Sequence, residues 1–214
     1  MQQEIALQAA RFAPVELRAE LLRYSSSLAA GAREPIAEHD GNRHMKNEDG
    51  SGRLDRVLAE EVDAAVAALR TRRPWPEVAR RFGRVAHFAA DANQPLNASA
   101  RDRDEARFFR DFALYADSAR PRFALATYGA ERSVGGAAGV RRLADEALAR
   151  GRRFYPAVGR EYRRVGFASG AAAFDDRSTA FAVAALSYSH AVTDVARLFR
   201  HVWTSAAAPS PDRL

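Results

Sequence analysis

The sequence predicts an all-α fold in a single domain, and three observations carry that prediction. Apolar residues recur at three- and four-residue intervals through most of the chain, and nowhere is the alternation of a half-buried strand strong. A length of 214 residues with 47% apolar content suits one packed core. That core is placed in residues 1–204, with a long functional or mobile loop at 31–52 and a disordered tail from 205 to 214, where Pro209 and Pro211 fall.

The first helix is expected over residues 3–13, where Ile5, Ala6, Ala9, Ala10 and Phe12 share a face before Pro14 ends the run. A second, from Val15 to about Ala30, sets Leu17, Leu21, Leu22 and Leu28 toward the core and Glu16, Arg18 and Glu20 toward water. Periodicity then stops, and Gly31, Pro35, Gly41, Asn42, Asn47, Gly50 and Gly52 mark the loop. Leu54, Leu58, Val62, Ala65, Val66 and Leu69 restore it in a helix whose basic end, Arg70 to Arg73, suits the negative pole of the helix dipole.

Pro74 and Pro76 open the next helix, whose core stripe runs through Trp75, Val78, Phe82, Val85, Ala86 and Ala89 until Pro95 halts it. Phe108, Phe109, Phe112 and Tyr115 predict a helix near 104–115 and read as core. An irregular connection follows over 117–137, then an arginine-rich helix from about Gly139 to Tyr155 or on to Val165. The last helix, capped by Asp175 or Asp176, runs to about Trp203 on Phe181, Ala184, Leu186, Tyr188, Val195, Leu198, Phe199 and Val202.

Composition excludes several classes. There is no cysteine, hence no disulfide framework and no thiolate metal site, so a metal would need His, carboxylate, Asn or backbone oxygen. No apolar run is long enough for a transmembrane segment. The start, Met1-Gln2-Gln3-Glu4, does not read as a signal peptide, so the expectation is a cytoplasmic protein, or a secreted one whose leader has been removed. The net charge of +6 is almost all arginine, with Lys46 the only lysine, which permits a phosphate-bearing partner; the arginines are nonetheless scattered and form no block. No phosphate loop and no nucleophile elbow occur.

The chemistry concentrates in residues 82–97. On a helix His87 and Asp91 project from one face four residues apart, as a metal-binding pair or as a simple hydrogen-bonded pair. Gly83, one turn earlier on the same stripe, would let a second helix or a ligand come close. The loop adds Glu34, Glu38, His39, Asp40, His44, Glu48 and Asp49, the composition of a metal or acid/base loop or of a solvated one, without the ligand spacing of a calcium loop. A rival set, His190, Asp194 and His201, shares one face of the last helix.

His87-xxx-Asp91-xx-Gln94-Pro95 resembles the signature of the family that joins bacterial zinc-dependent phospholipase C to the single-strand-specific nucleases, all-helical phosphodiesterases with three zinc ions. The run from Glu4 to Ala10, the turn from Gly31 to Pro35 and the final helix ending in Trp203 are similar in order and spacing. The resemblance implies zinc at His87 and Asp91, with Asp91 the bridging and catalytic carboxylate, His39 or His44 as a further ligand and Glu34 in place of an upstream Asp. It implies as substrate a phosphate ester, either a phospholipid headgroup or a nucleic acid.

The sequence departs from that pattern at defined positions. Asn97 stands where the motif ends in His, residues 98–189 hold no histidine, the N-terminal Trp and nearby His are absent, and Gln2 lies about where that His falls. The expectation is therefore one or two zinc ions in a reduced hydrolase site. The alternative is a non-catalytic helical binding or scaffold protein that keeps the fold.

Overall fold

The computed structural model describes residues 1–98, 102–166 and 170–207. They form α1 (Gln2–Ala10), α2 (Val15–Arg23), α3 (Ser25–Arg33), α4 (Leu54–Arg70), α5 (Trp75–Ala92), α6 (Glu105–Ala119), α7 (Gly136–Val165), α8 (Gly170–Ala173) and α9 (Thr179–Ala207). Among the described residues there is no strand, only an isolated bridge between Lys46 and Gly52. The fold is all-α in one compact domain.

α5 is the pivot, packed against α1, α3, α4, α7 and α9. Its apolar residues carry the main core, where Phe82 meets Phe199 of α9 edge to face at 5.0 Å. A second apolar cluster joins α6, the end of α7 and the start of α9, with Phe108 stacked on Tyr162 at 4.3 Å. The aromatics of α6 are thus core, as their spacing predicts, although Phe109 is part-exposed.

Two glycines explain how closely α3 and α5 approach. A Cβ on Gly83 would lie 2.1 Å from the Leu28 carbonyl oxygen, and one on Gly31 would lie 1.9 Å from that of Arg80. Backbone meets backbone at this crossing, so the close approach anticipated at Gly83 is made by α3.

Several boundaries differ from expectation. The run 15–30 is two helices, because Tyr24 leaves helical geometry at φ −103°, ψ 35°. α3 continues through Arg33 and draws Gly31 and Ala32 out of the loop into a buried helical turn. The first helix ends at Ala10, which leaves Phe12 part-exposed, and Leu22 and Leu186 also face outward. α5 ends at Ala92 with Asn93 as its cap, before Pro95 is reached. α9 is capped by Ser178, whose Oγ accepts from the Phe181 N–H at 3.1 Å, while Asp175 forms the preceding turn. α9 also continues through Ala207, three residues into the stretch read as tail; residues 208–214 lie outside the described residues.

Residues 34–53 form a clasp held by side-chain and backbone bonds. Arg84 on α5 binds Glu61 of α4 at 2.6 Å and Glu38 of the loop at 2.8 Å, and Glu38 reaches Arg43 at 2.7 Å. Asp40 accepts from the Asn42 N–H and from Arg53, and Arg53 N–H donates to the Asn42 carbonyl, closing the segment on itself. At its far end Gly52, at φ +85°, lets the chain pass against the Met45 carbonyl.

Candidate metal centre

α5 delivers His87 and Asp91 as its helical spacing predicts, both buried, and the clasp delivers His44 above them. His44 Nδ1 lies 2.7 Å from Asp91 Oδ2, His87 Nε2 lies 3.1 Å from that same oxygen, and the two ring nitrogens are 3.2 Å apart. Phe88 packs against both rings, 5.3 Å from that of His44 and 5.2 Å from that of His87. Among the described residues this is the one group of three such side chains whose ligand atoms converge.

The second nitrogen of His87 settles which atom it offers. Nδ1 is 2.8 Å from the Ala32 carbonyl oxygen, which can only accept, so Nδ1 carries a hydrogen and Nε2 is the nitrogen presented to Asp91, where it donates to Oδ2 when protonated and is the atom free to bind a metal when it is not. Metal-bound histidines are held in the same way by a carbonyl or carboxylate on the remote nitrogen.

Asp91 differs from three other buried acids, Asp55, Glu61 and Asp194, which meet Lys46, Arg84 and Arg150 respectively. Asp91 meets no Lys or Arg among the described residues; its partners are the two imidazoles and Gln2, whose Nε2 donates to Oδ1 at 2.7 Å. Burial resists ionisation of Asp91, but the adjacent His87 charge and the bonds from His44 and His87 outweigh it and hold the carboxyl below its ordinary range. Burial likewise opposes protonation of His87, yet the Asp91 charge and the bonds to Asp91 and Ala32 raise its pKa. The site is built to hold positive charge.

The donor set fits one zinc ion. Tetrahedral zinc with bonds of about 2.0–2.1 Å sets its ligand atoms about 3.3 Å apart, and these three lie 2.7–3.2 Å apart. Three protein donors leave a position open, which separates catalytic from structural zinc sites.

The other expected ligands go elsewhere. His39 is exposed and outside the group, so of the two loop histidines it is His44 that lies beside His87 and Asp91. Glu34 pairs with Arg80 at 3.2 Å and Arg84 at 3.7 Å. The rival set on α9 is dispersed: Asp194 binds Arg150 and Asn93, His190 meets the Tyr128 hydroxyl, and His201 meets Ser205. Gln2 is a site residue whose role periodicity could not assign, since it lies 89 positions from Asp91.

The centre opens on a cleft of about 670 Å³. One wall carries His44, Asp91 and Gln2; the rest is largely apolar, with Ile5, Ile36, Phe112 and Leu114, and Arg110 stands at the edge. Ile36 and Leu114 are well exposed at its mouth.

The fold is similar to that of the alpha-toxin of Clostridium perfringens isolated from avian strain SWCP, with a TM-score of 0.74 and 10% identity, over 97% of this chain and 64% of the toxin. It is also similar to the alpha toxin from Clostridium absonum, with a TM-score of 0.73 and 12% identity, over 95% of this chain and 64% of the toxin. The chain thus spans less than two thirds of the length of each, and at such identities the likeness is one of fold. The sequence matches no family model and no curated protein.

Proposed function

We propose that the protein is a zinc-dependent hydrolase of phosphate esters, acting on substrates that carry an apolar group. The observation that carries the reading is Asp91: a buried carboxylate facing two imidazole nitrogens, without Lys or Arg among the described residues, at the wall of a cleft. The motif resemblance to zinc-dependent phospholipase C and the nucleases, and the fold shared with two alpha-toxins, support it.

Zinc, when bound, supplies a Lewis acid for a phosphoryl oxygen and makes water nucleophilic near neutral pH. The chain's own part is to orient and to exclude water. His87 is locked by Ala32, His44 is held over Phe88, and Asp91 directs Oδ2 to both rings. Arg110, exposed at the cleft, is placed to attract a phosphate anion. Ile5, Ile36, Phe112 and Leu114 offer apolar surface to the remainder of the ester. A single nucleic-acid strand needs a basic groove with stacking platforms, so these walls favour a phospholipid-like amphiphile.

A second reading, a non-catalytic protein on the same fold, is favoured by the amides around Asp91: Gln2 on its carboxylate and Asn97 Nδ2 at 3.4 Å from its carbonyl oxygen. The deciding experiment is elemental analysis of untagged protein prepared without chelator, followed by hydrolysis of a chromogenic phosphodiester and headgroup release from phospholipid vesicles. Bound zinc and turnover that both vanish in the His87→Ala, Asp91→Ala double variant are the expected result. Bound zinc without turnover on any of these substrates favours the second reading, and no zinc uptake removes the metal reading.

A further inference from the structure

We propose that Gln2 holds this centre to a single metal ion, an inference that rests on reading His44, His87 and Asp91 as a zinc site. It follows from how the two oxygens of Asp91 are engaged. Oδ2 faces the imidazole nitrogens, and Oδ1 accepts from Gln2 Nε2 at 2.7 Å. Only the amide nitrogen of Gln2 can donate to a carboxylate, so the bond itself fixes which way the amide points.

A carboxylate brings two cations together by giving one oxygen to each. With an N–H on Oδ1, the direction from which a second ion would approach is filled by a donor bearing partial positive charge. The neighbouring polar groups supply no free ligand: Asn97 Nδ2 points at the Asp91 carbonyl oxygen, Glu38 is engaged by Arg84 and Arg43, and the described residues contain no second cluster of three ligands. Gln2 is also firmly placed. α1 is anchored by Ile5, Ala6, Ala9 and Ala10, all buried, and packs on α5 and α9. With Oδ1 pinned, Asp91 offers one oxygen in one orientation, which makes Gln2 a positioning residue for the first ion as well as a block to a second.

The test is metal stoichiometry of the whole chain with zinc and with cobalt, whose visible absorption reports ligand geometry, in the parent, Gln2→His and Gln2→Ala. The parent should bind one equivalent. Gln2→His, which sets a ligand beside Oδ1 in place of a donor, should bind two. Gln2→Ala, which removes the donor but brings no ligand for a second ion, should stay at one, bound about 10–100-fold more weakly and with a shifted cobalt band, as Asp91 loses its tether. Two equivalents in the parent, a Gln2→His protein that stays at one, or a Gln2→Ala protein with the parent's affinity and spectrum overturns the proposal. Should Gln2→His fail to fold, the affinity and spectrum of Gln2→Ala decide it. No ion in the parent overturns this proposal and the zinc reading together, whereas one ion with these responses but no ester hydrolysis leaves it standing and removes only the hydrolase.

Discussion

His87 Nδ1 lies 2.8 Å from the carbonyl oxygen of Ala32, a bond that crosses from α5 to α3. It requires the backbones of the two helices to be almost in contact. The choice of Nε2 as the nitrogen presented to Asp91 is therefore set by packing at Gly31 and Gly83, one turn from the chemistry.

Gly83→Ala should accordingly damage both stability and the site. The added Cβ would meet the Leu28 carbonyl oxygen at 2.1 Å and the Ala32 nitrogen at 2.6 Å, and neither can swing aside as a side-chain end could. Forced separation of two packed helices costs about 1–3 kcal/mol or more. Gly41→Ala, where a Cβ meets nothing within 4 Å, is the control and should change stability by less than about 0.5 kcal/mol. Urea denaturation measures both, and zinc affinity should fall in the first variant alone.

Zinc should stabilise the folded chain through His87 and Asp91 and not through α9. At a free concentration of 100 times Kd, a ligand specific to the native state adds about 2.7 kcal/mol, which raises the melting temperature by several degrees. The rise should vanish in Asp91→Asn, which keeps the shape of the side chain and removes its charge. It should persist in His201→Ala, because His201 meets Ser205 well away from the centre. Thermal scans with and without zinc distinguish the cases.

The contrast between α5 and α9 shows what a sequence can reveal of such a site. His87 and Asp91 sit on one turn of one helix, so spacing alone places them together, and helical periodicity gives α4, α5 and α7 nearly to their ends. His190 and Asp194 have the same spacing, yet Arg150 of α7 takes Asp194 and Tyr128 takes His190, partners from distant segments that local pattern does not encode. The choice of His44 over His39 likewise depends on where Arg43, Arg84 and Arg53 fasten the loop. The break at Tyr24 does have a local sign, since Ser25, Ser26 and Ser27 favour helix starts over interiors, but the apolar stripe of Leu17, Leu21, Leu22 and Leu28 runs across it and hides it from periodicity.

Arg84 should be the most costly arginine to remove. It joins the nearly buried Glu61 to Glu38, so Arg84→Met would leave Glu61 with Arg43 alone at 3.4 Å. Breaking one partner of a buried pair costs about 3–5 kcal/mol, and the remaining Arg43 contact puts this case toward the lower end. Since Glu38 and Arg43 hold the clasp that carries His44, zinc affinity should also drop. Arg84→Met with Glu61→Gln should recover part of the stability, as no charge is then left uncompensated, and little of the affinity. Denaturation and metal titration of the two variants separate these effects.

His190 gives the protein an acid sensitivity independent of the metal centre. Burial, aided by the charge of Arg150, pushes its pKa down to about 4, against 6.5 in an unfolded chain. Between those values the unfolded chain binds the proton and the folded one does not, so stability is complete above pH 6.5 and declines as pH falls toward 4, below which the loss is constant. For a ring in partial contact with water the loss should be on the order of 1–2 kcal/mol after screening. His190→Asn, which cannot titrate, should narrow the difference in denaturation midpoint between pH 7 and pH 4.5. Carboxylates contribute to that difference in both proteins, so subtracting variant from parent isolates the imidazole. Identical pH profiles would mean that the ring takes up its proton in the folded state as readily as in water.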